Sequence, residues 1–279
     1  MSAPATVPPV GVDELRRAWL AVQAGDFRHP HPHQHPLRHP SPSAPGGVWT
    51  PASGEQVVPV IGTTGSCGAT TLALALATAA GGPARVVECA PAPASGLPAA
   101  STTELGTDDH GWARGSRDLV RLDRAGALGS DPDRIPPPPP GGPGITVVDI
   151  GNQVELLLAG HGWVTGLLVD APTLVVVARA TVPGLRRLEC CLHQLGADRT
   201  LVAILGPPRR RWPRVVAHCV GALTADRIAA GRLVDIPEDR QLAIRGLTPD
   251  PLPARLLARA TTLLPLTQHT TTTGEDHHP

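Results

Sequence analysis

Apolar and polar positions along this chain change in blocks. Between residues 57 and 205, short β-branched runs are separated by stretches with helical spacing. VVPVI (57–61), ARVVECA (84–90), ITVVDI (145–150), TLVVVARA (173–180) and TLVAIL (200–205) predict buried strands. TTLALALATAA (70–80) predicts a buried helix stopped by Gly81 and Gly82, and VELLLAGHGWVTGLL (154–168) predicts helix in part. In PGLRRLECCLHQL (183–195), Pro183 suits a first helical turn and Leu185, Leu188, Leu192 and Leu195 share one face. Helical segments near 212–231 and 251–264 follow, with a short strand or turn at RLVDIP (232–237). Strands that are apolar throughout rather than alternating, separated by helices, predict an α/β three-layer domain with a mostly parallel central sheet. A ligand site in such a sheet lies at the carboxyl ends of the strands.

The flanking segments have a different pattern. In VDELRRAWLAVQA (12–24), Val12, Leu15, Trp19 and Val22 fall on one helical face, which predicts a short peripheral helix or a docking element for a partner. It lacks the basic face of a membrane-surface helix. Residues 91–144 are poor in pattern and predict a loop-rich insertion with a short strand around Leu119–Leu122.

Composition sharpens these boundaries. The 33 prolines are uneven, with ten in residues 1–55 and seven in 131–143. His29, His31, His33, His35 and His39 alternate with proline, which holds a chain extended and unable to pack. The expected organisation is a disordered arm over 1–48, a domain over 49–266 and a polar, disordered tail over 267–279. The histidine tract is expected to be a solvated linker with at most adventitious metal binding.

Net charge is zero, so no global field draws the chain to nucleic acid or anionic lipid. All 24 basic residues are arginine, Tyr is absent and Phe occurs once, as in proteins of GC-rich genomes such as those of actinobacteria. The five cysteines are an odd number, and the first 25 residues do not read as a signal peptide, so free thiols in a reducing cytoplasm are expected. No uncharged run of 18 apolar residues is present to span a membrane.

The most informative stretch is VIGTTGSCGATTLALALA (60–77), a β-branched run, a Gly/Ser/Thr turn and a helix-forming run. A phosphate loop needs small residues so that backbone N–H groups converge on the anion, backed by a helix N-terminus. It also uses a lysine and a Mg²⁺-binding hydroxyl. Thr64, Gly65, Ser66, Cys67 and Gly68 supply the small residues, and Thr70 or Thr71 supplies the hydroxyl. Asp149, near a strand end, suits a carboxylate that holds Mg²⁺. The lysine position is Ala69. The expected nucleotide-binding residues are therefore Thr64 to Thr71, with Thr70 and Asp149 for the metal.

The run TGSCGATTLALALA resembles the deviant phosphate loop of the ParA/MinD group of P-loop ATPases, KGGxGKTT followed by an apolar helix. ITVVDIGNQ resembles that family's Walker B strand, TLVVVARATVPGLRRLECCLHQL the strand and helix after it, and RLVDIPEDRQLAIRGL its late IP-x-D segment. The resemblance covers about 55–265, and it implies a P-loop NTPase-like fold. It also resembles lysine-free GGxGxST loops of actinobacterial relatives encoded near plasmid-transfer genes. What it implies is ATP with Mg²⁺, a homodimer or protein partner, and a role in partition or transfer. The departures fall on chemistry. Thr64 stands at the signature lysine, Ala69 at the second lysine, and ECAPAPASG offers no clear counterpart to the switch I acidic residue. Loss of a transition-state cation costs orders of magnitude in phosphoryl transfer, whereas ground-state binding retains the backbone cradle. The expectation is weak nucleotide binding, little or no hydrolysis, and a regulatory or scaffolding role.

Other chemistries compete for the same residues. A competent ATPase would need a replacement arginine, with Arg114, Arg117 and Arg121 as candidates. A blurred G-x-S-x-G elbow would make Ser66 or Cys67 a nucleophile with His161, His193 or His218 as base. Cys190, His193, His218 and Cys219 are a weak zinc set. RRRWPR offers Arg209, Arg210, Arg211 and Arg214 to DNA phosphates. A partner-binding module without nucleotide, docking through residues 12–24, is the non-enzymatic alternative.

Overall fold

A computed structural model describes residues 16–17, 19–21, 47–142 and 144–268. The chain divides into two units, Met1–Ser41 and Pro42–Pro279. In the first, residues 16–17 and 19–21 are helical, with Trp19 and Leu20 exposed. The rest of the 12–24 helix expectation and the histidine tract lie outside the described residues.

In the second unit the β-branched runs form strands and the Ala/Leu runs form helices. The elements that build the site come first. Strand β1 (Glu55–Gly62) enters a turn, α1 (Ala69–Ala79) leaves it, and β2 (Ala84–Cys89) follows. Leu72 to Ala77 of α1 are all buried, the pattern of a helix apolar on every side and enclosed in the core. Gly81, at φ +68°, takes the left-handed conformation that stops it.

The segment over 91–144 holds more order than its sequence pattern suggests. It carries β3 (Thr103–Thr107), β4 (Ala113–Arg117) and β5 (Val120–Arg124). Strand β5 is the short strand expected near Leu119–Leu122. Strands β3 and β4 read TELGT and ARGSR, and β3 is exposed throughout, so neither carries the apolar alternation that would reveal it.

After β6 (Gly144–Ile150), the 154–168 stretch splits into α2 (Val154–Leu158) and α3 (Trp163–Asp170) around Gly160 and Gly162. Next come β7 (Leu174–Arg179), α4 (Val182–Leu195), β8 (Thr200–Leu205), α5 (Arg214–Ala217), α6 (Ala222–Ala229) and β9 (Leu233–Ile236). The chain closes with α7 (Arg240–Arg245), which the sequence pattern does not anticipate, and α8 (Ala254–Thr267). Helix α4 starts as its sequence predicts. The Thr181 hydroxyl accepts from the Gly184 N–H at 3.1 Å, Pro183 sits in the first turn, and all four leucines of the stripe are buried.

The described strands form one sheet in the order β3-β4-β5-β2-β6-β1-β7-β8-β9. Pairing is parallel from β5 to β9 and antiparallel only at β3–β4 and β4–β5. One face packs against α1 and α8 through Leu72, Leu74, Leu76, Leu256 and Leu263. The other packs against α2, α3 and α4 through Leu157, Leu168, Leu185, Leu188 and Leu192. These are the three layers of the expected α/β domain.

Among the described residues, no helix is long and apolar enough to cross a membrane. All five cysteines are free thiols.

Candidate functional site

The β1–α1 turn sits at the carboxyl end of a central strand. Its first residue is pinned to the sheet, because the Thr63 N–H donates to the Val177 carbonyl of β7 at 2.9 Å. The backbone is then forced into the left-handed region twice, at Ser66 (φ 57°) and Gly68 (φ 94°). Such a conformation is costly for serine, and strain of this kind concentrates at functional sites. At position 68 glycine is required, since a Cβ there would sit 3.0 Å from Leu205 Cδ2 on a left-handed backbone. Helix α1 then starts without a side-chain cap and without an acidic residue in its first turn. Its own side chains therefore leave the positive end of the helix dipole uncovered.

The turn forms one wall of a cavity of ≈ 790 Å³, a size ordinary for small-ligand sites. All eight expected loop residues, Thr64 to Thr71, line it, and so does Asp149. The β2 end contributes Ala90, Pro93, Ala94 and Gly96. The acidic residues of the lining are Asp149 and Glu155. The far side is made by Arg187, Cys190 and Cys191 of α4.

The chemistry of the cavity floor is set by strand register. Glu88 of β2 stands opposite Asp149 of β6, side by side on the α1 face of the sheet. Both are buried. Neither Asp149 oxygen meets the geometry of a hydrogen bond among the described residues, although the Thr70 hydroxyl lies close enough to favour its ionised form. Burial, reinforced by the Glu88 charge, pushes the Asp149 carboxyl up to about 7, and the Thr70 hydroxyl offsets part of the rise. Burial also raises Glu88, more than the hydrogen bond from Ser95 and the charge of Arg124 lower it. A buried carboxylate with no partner is expensive unless a cation meets it. The donors available at this point, the Asp149 carboxylate and the Thr70 hydroxyl, are hard oxygens of the kind Mg²⁺ prefers.

Arginines reach the loop from an unexpected side. Arg187 of α4 donates from Nη1 to the Thr64 hydroxyl at 2.8 Å. Arg179 approaches the Ser66 carbonyl at 3.5 Å and is paired with Glu238. The three arginines considered from sequence lie elsewhere. Arg114 pairs with Asp108 at 2.7 Å and Arg121 with Asp123 at 3.0 Å, while Arg117 is buried and donates to the Thr248 and Asp250 carbonyls. None of them lines the cavity. Arg187 escapes sequence reading because it flanks the leucine stripe of α4, and only the fold shows that this flank faces the loop.

The competing chemistries lose support. Among the described residues no histidine lines the cavity, and His161, His193 and His218 are not part of its lining. Burial raises the Cys67 thiol despite nearby backbone N–H groups, which leaves it a poor nucleophile. Among the described residues, no three His, Cys, Asp or Glu side chains are placed to hold a metal together, so Cys190, His193, His218 and Cys219 do not form a zinc site. Of the basic run, Arg209 is engaged with Asp235 at 3.4 Å, while Arg210, Arg211 and Arg214 are exposed.

The sheet order and the strand–turn–helix unit define a three-layer α/β fold of the P-loop NTPase type. No protein-family model and no curated protein matches the sequence. Solved structures do match. Apo McdA from Cyanothece aligns over 76% of this chain and 99% of its own, at 13% identity and a TM-score of 0.50. An ATP complex of a McdA variant from Cyanothece covers 77% and 97%, at 15% identity and a TM-score of 0.49. A ParA family ATPase from Chlorobium tepidum covers 76% and 98%, at 15% identity and a TM-score of 0.47. The fold is thus ParA/MinD-like, and at these identities the likeness concerns the path of the chain.

Proposed function

We propose that this protein is a ParA/MinD-like nucleotide-binding protein with a degenerate phosphate loop. It holds Mg-ATP weakly, hydrolyses it slowly or not at all, and serves a regulatory or scaffolding role in partition or transfer in the cytoplasm. The observation that carries this reading is the cavity itself. The phosphate-loop backbone and an unpartnered Asp149 border it together, while the position of the loop lysine is Ala69. Thr64 to Thr71 would cradle the phosphates, and Thr70 and Asp149 would hold Mg²⁺, which would screen the phosphate charge. The absent lysine removes a cation that matters most when charge develops during transfer.

Calorimetric titration of Mg-ATP into the full-length protein tests the reading. Weak saturable binding is expected, with no ATP turnover above background. Ala69→Lys should tighten binding by about 10- to 100-fold, the worth of one charge-assisted contact. Robust turnover by the unaltered protein that disappears in Asp149→Ala would overturn the degenerate reading. The exposure of Trp19 and Leu20 favours a second reading, a module that binds a protein partner through residues 12–24 and takes no nucleotide. A flat titration would leave that reading standing. Contact with DNA phosphates through Arg210, Arg211 and Arg214 belongs to the same set of proposals, and salt-dependent binding to random duplex DNA would support it.

A further inference from the structure

We infer that Arg187 supplies, from α4, the positive charge that Ala69 leaves out of the loop, so that the cavity grips a polyphosphate between the β1–α1 turn and an arginine from another layer of the fold. The inference rests on the reading of this cavity as a nucleotide site.

The loop brings no charge of its own. Position 69 is alanine, and the chain contains no lysine. A helix N-terminus and converging N–H groups supply partial charge only. Arg187 borders the same cavity as Thr64 to Thr71. Its guanidinium already touches the loop, through the 2.8 Å bond to the Thr64 hydroxyl. That partner is neutral, and among the described residues Arg187 makes no ion pair. Arg179, the other arginine at the loop, differs on this point, because Glu238 neutralises it. Among the described residues, Arg187 is therefore the cation at this cavity with charge to give.

The support beneath Arg187 is rigid. Thr181 caps α4, Pro183 presets its first turn, and Leu185, Leu188, Leu192 and Leu195 lock it onto the sheet. A guanidinium presents a planar fork that matches two phosphate oxygens, and exchange of a hydroxyl for a phosphate partner strengthens its hydrogen bonds. A separate feature also points to a ligand here. Asp149, 1% exposed, lines the cavity with both oxygens unpartnered. The cavity thus offers the Arg187 cation together with two carboxylates, the bare Asp149 and Glu155, an arrangement that suits a polyphosphate carrying a metal ion better than a free anion.

Arg187 is exposed, so its replacement leaves the core intact. Titration calorimetry on full-length Arg187→Ala, Arg187→Lys and Arg187→Ala/Ala69→Lys, with Mg-ATP and separately with adenosine, tests the inference. Arg187→Ala should weaken Mg-ATP by about 10- to 100-fold, and Arg187→Lys by much less. The double variant should recover most of the loss. Adenosine, which has no phosphates, should bind all four proteins alike. Mg-ATP binding to Arg187→Ala as tight as to the unaltered protein overturns the inference and leaves the nucleotide reading standing. Equal losses for ATP and adenosine also overturn it, because they mark damage to the pocket rather than loss of a phosphate contact. Absence of Mg-ATP binding to the unaltered protein overturns the nucleotide reading and this inference with it.

Discussion

Arg85→Leu is expected to destabilise the fold by about 3–5 kcal/mol, the cost of leaving buried charge without its partner. For a domain of this size that corresponds to a fall in melting temperature on the order of 10 °C. The cause lies at the amino ends of the central strands, opposite the cavity. Arg85 of β2 is held by the Glu55 carboxylate at 2.6 Å, the Pro139 carbonyl at 2.6 Å and the Thr146 hydroxyl at 3.0 Å. Asp123 lies 3.6 Å away, and the guanidinium also stacks over Trp49 at 5.9 Å from the ring centroid. The side chains of Glu55 and Asp123 are 0% exposed and that of Arg85 is 5% exposed, so water cannot replace what leucine removes.

Glu55 reports the strength of this network. Burial alone would raise its carboxyl, yet the bonds from Thr146 and the Ala52 N–H and the Arg85 charge outweigh burial and hold it below the ordinary value. Arg114→Leu is the control. Arg114 is 34% exposed and pairs with Asp108; its Nε also lies 3.8 Å from Asp123, but that acid keeps Arg85 and Arg121, so the loss should be the smaller one, about 1–2 kcal/mol. Addition of Glu55→Gln to Arg85→Leu should recover part of the loss by neutralising the acid left without a cation, since Asp123 keeps Arg121 at 3.0 Å. Thermal melts of these variants decide the matter, and an Arg85→Leu melt no lower than that of Arg114→Leu would sink the account.

The parts of this molecule legible in the sequence are those whose residues are contiguous. Strand β8 and helix α4 announce themselves because an unbroken apolar run and a leucine stripe each have a single packing solution. The phosphate loop is legible for the same reason, since its small residues and helix start are consecutive. The outer strands β3 and β4 are not, because polar strands at an edge bury too little to leave a pattern. The site partners are illegible for a different reason. Glu88 reads as a stray charge in an apolar strand until register sets it beside Asp149. Arg187 carries no signal in the helix sequence and gains a role only where the fold brings α4 to the loop. Residue type at one position could not reveal either, because their meaning comes from neighbours about 60 and 120 residues away along the chain.

Asp149→Asn is expected to stabilise the metal-free, nucleotide-free protein at pH 8 and to change it much less at pH 5. The Asp149 carboxyl titrates near 3.8 when solvated and near 7 in the fold. The native state therefore holds a proton that the unfolded chain releases. A raised value of this kind contributes stability that is fully present below about pH 3.8 and is lost as pH rises through about 7. Each unit of pH inside that window costs about 1.4 kcal/mol, so between pH 5 and pH 7 the loss is on the order of 2–3 kcal/mol. Asparagine keeps the shape and cannot ionise, so its stability lacks this slope. Because Glu88 faces Asp149 and is raised with it, the proton belongs to the pair, and removal of one acid lets Glu88 ionise more readily. Denaturant unfolding in EDTA from pH 5 to pH 8 measures the difference directly. Parallel curves for the two proteins would mean that Asp149 is already paid for by a partner inside the fold. Diverging curves would show a buried carboxylate that the fold leaves without a partner, and the ionised form that weakens the empty fold is the form a metal ion requires.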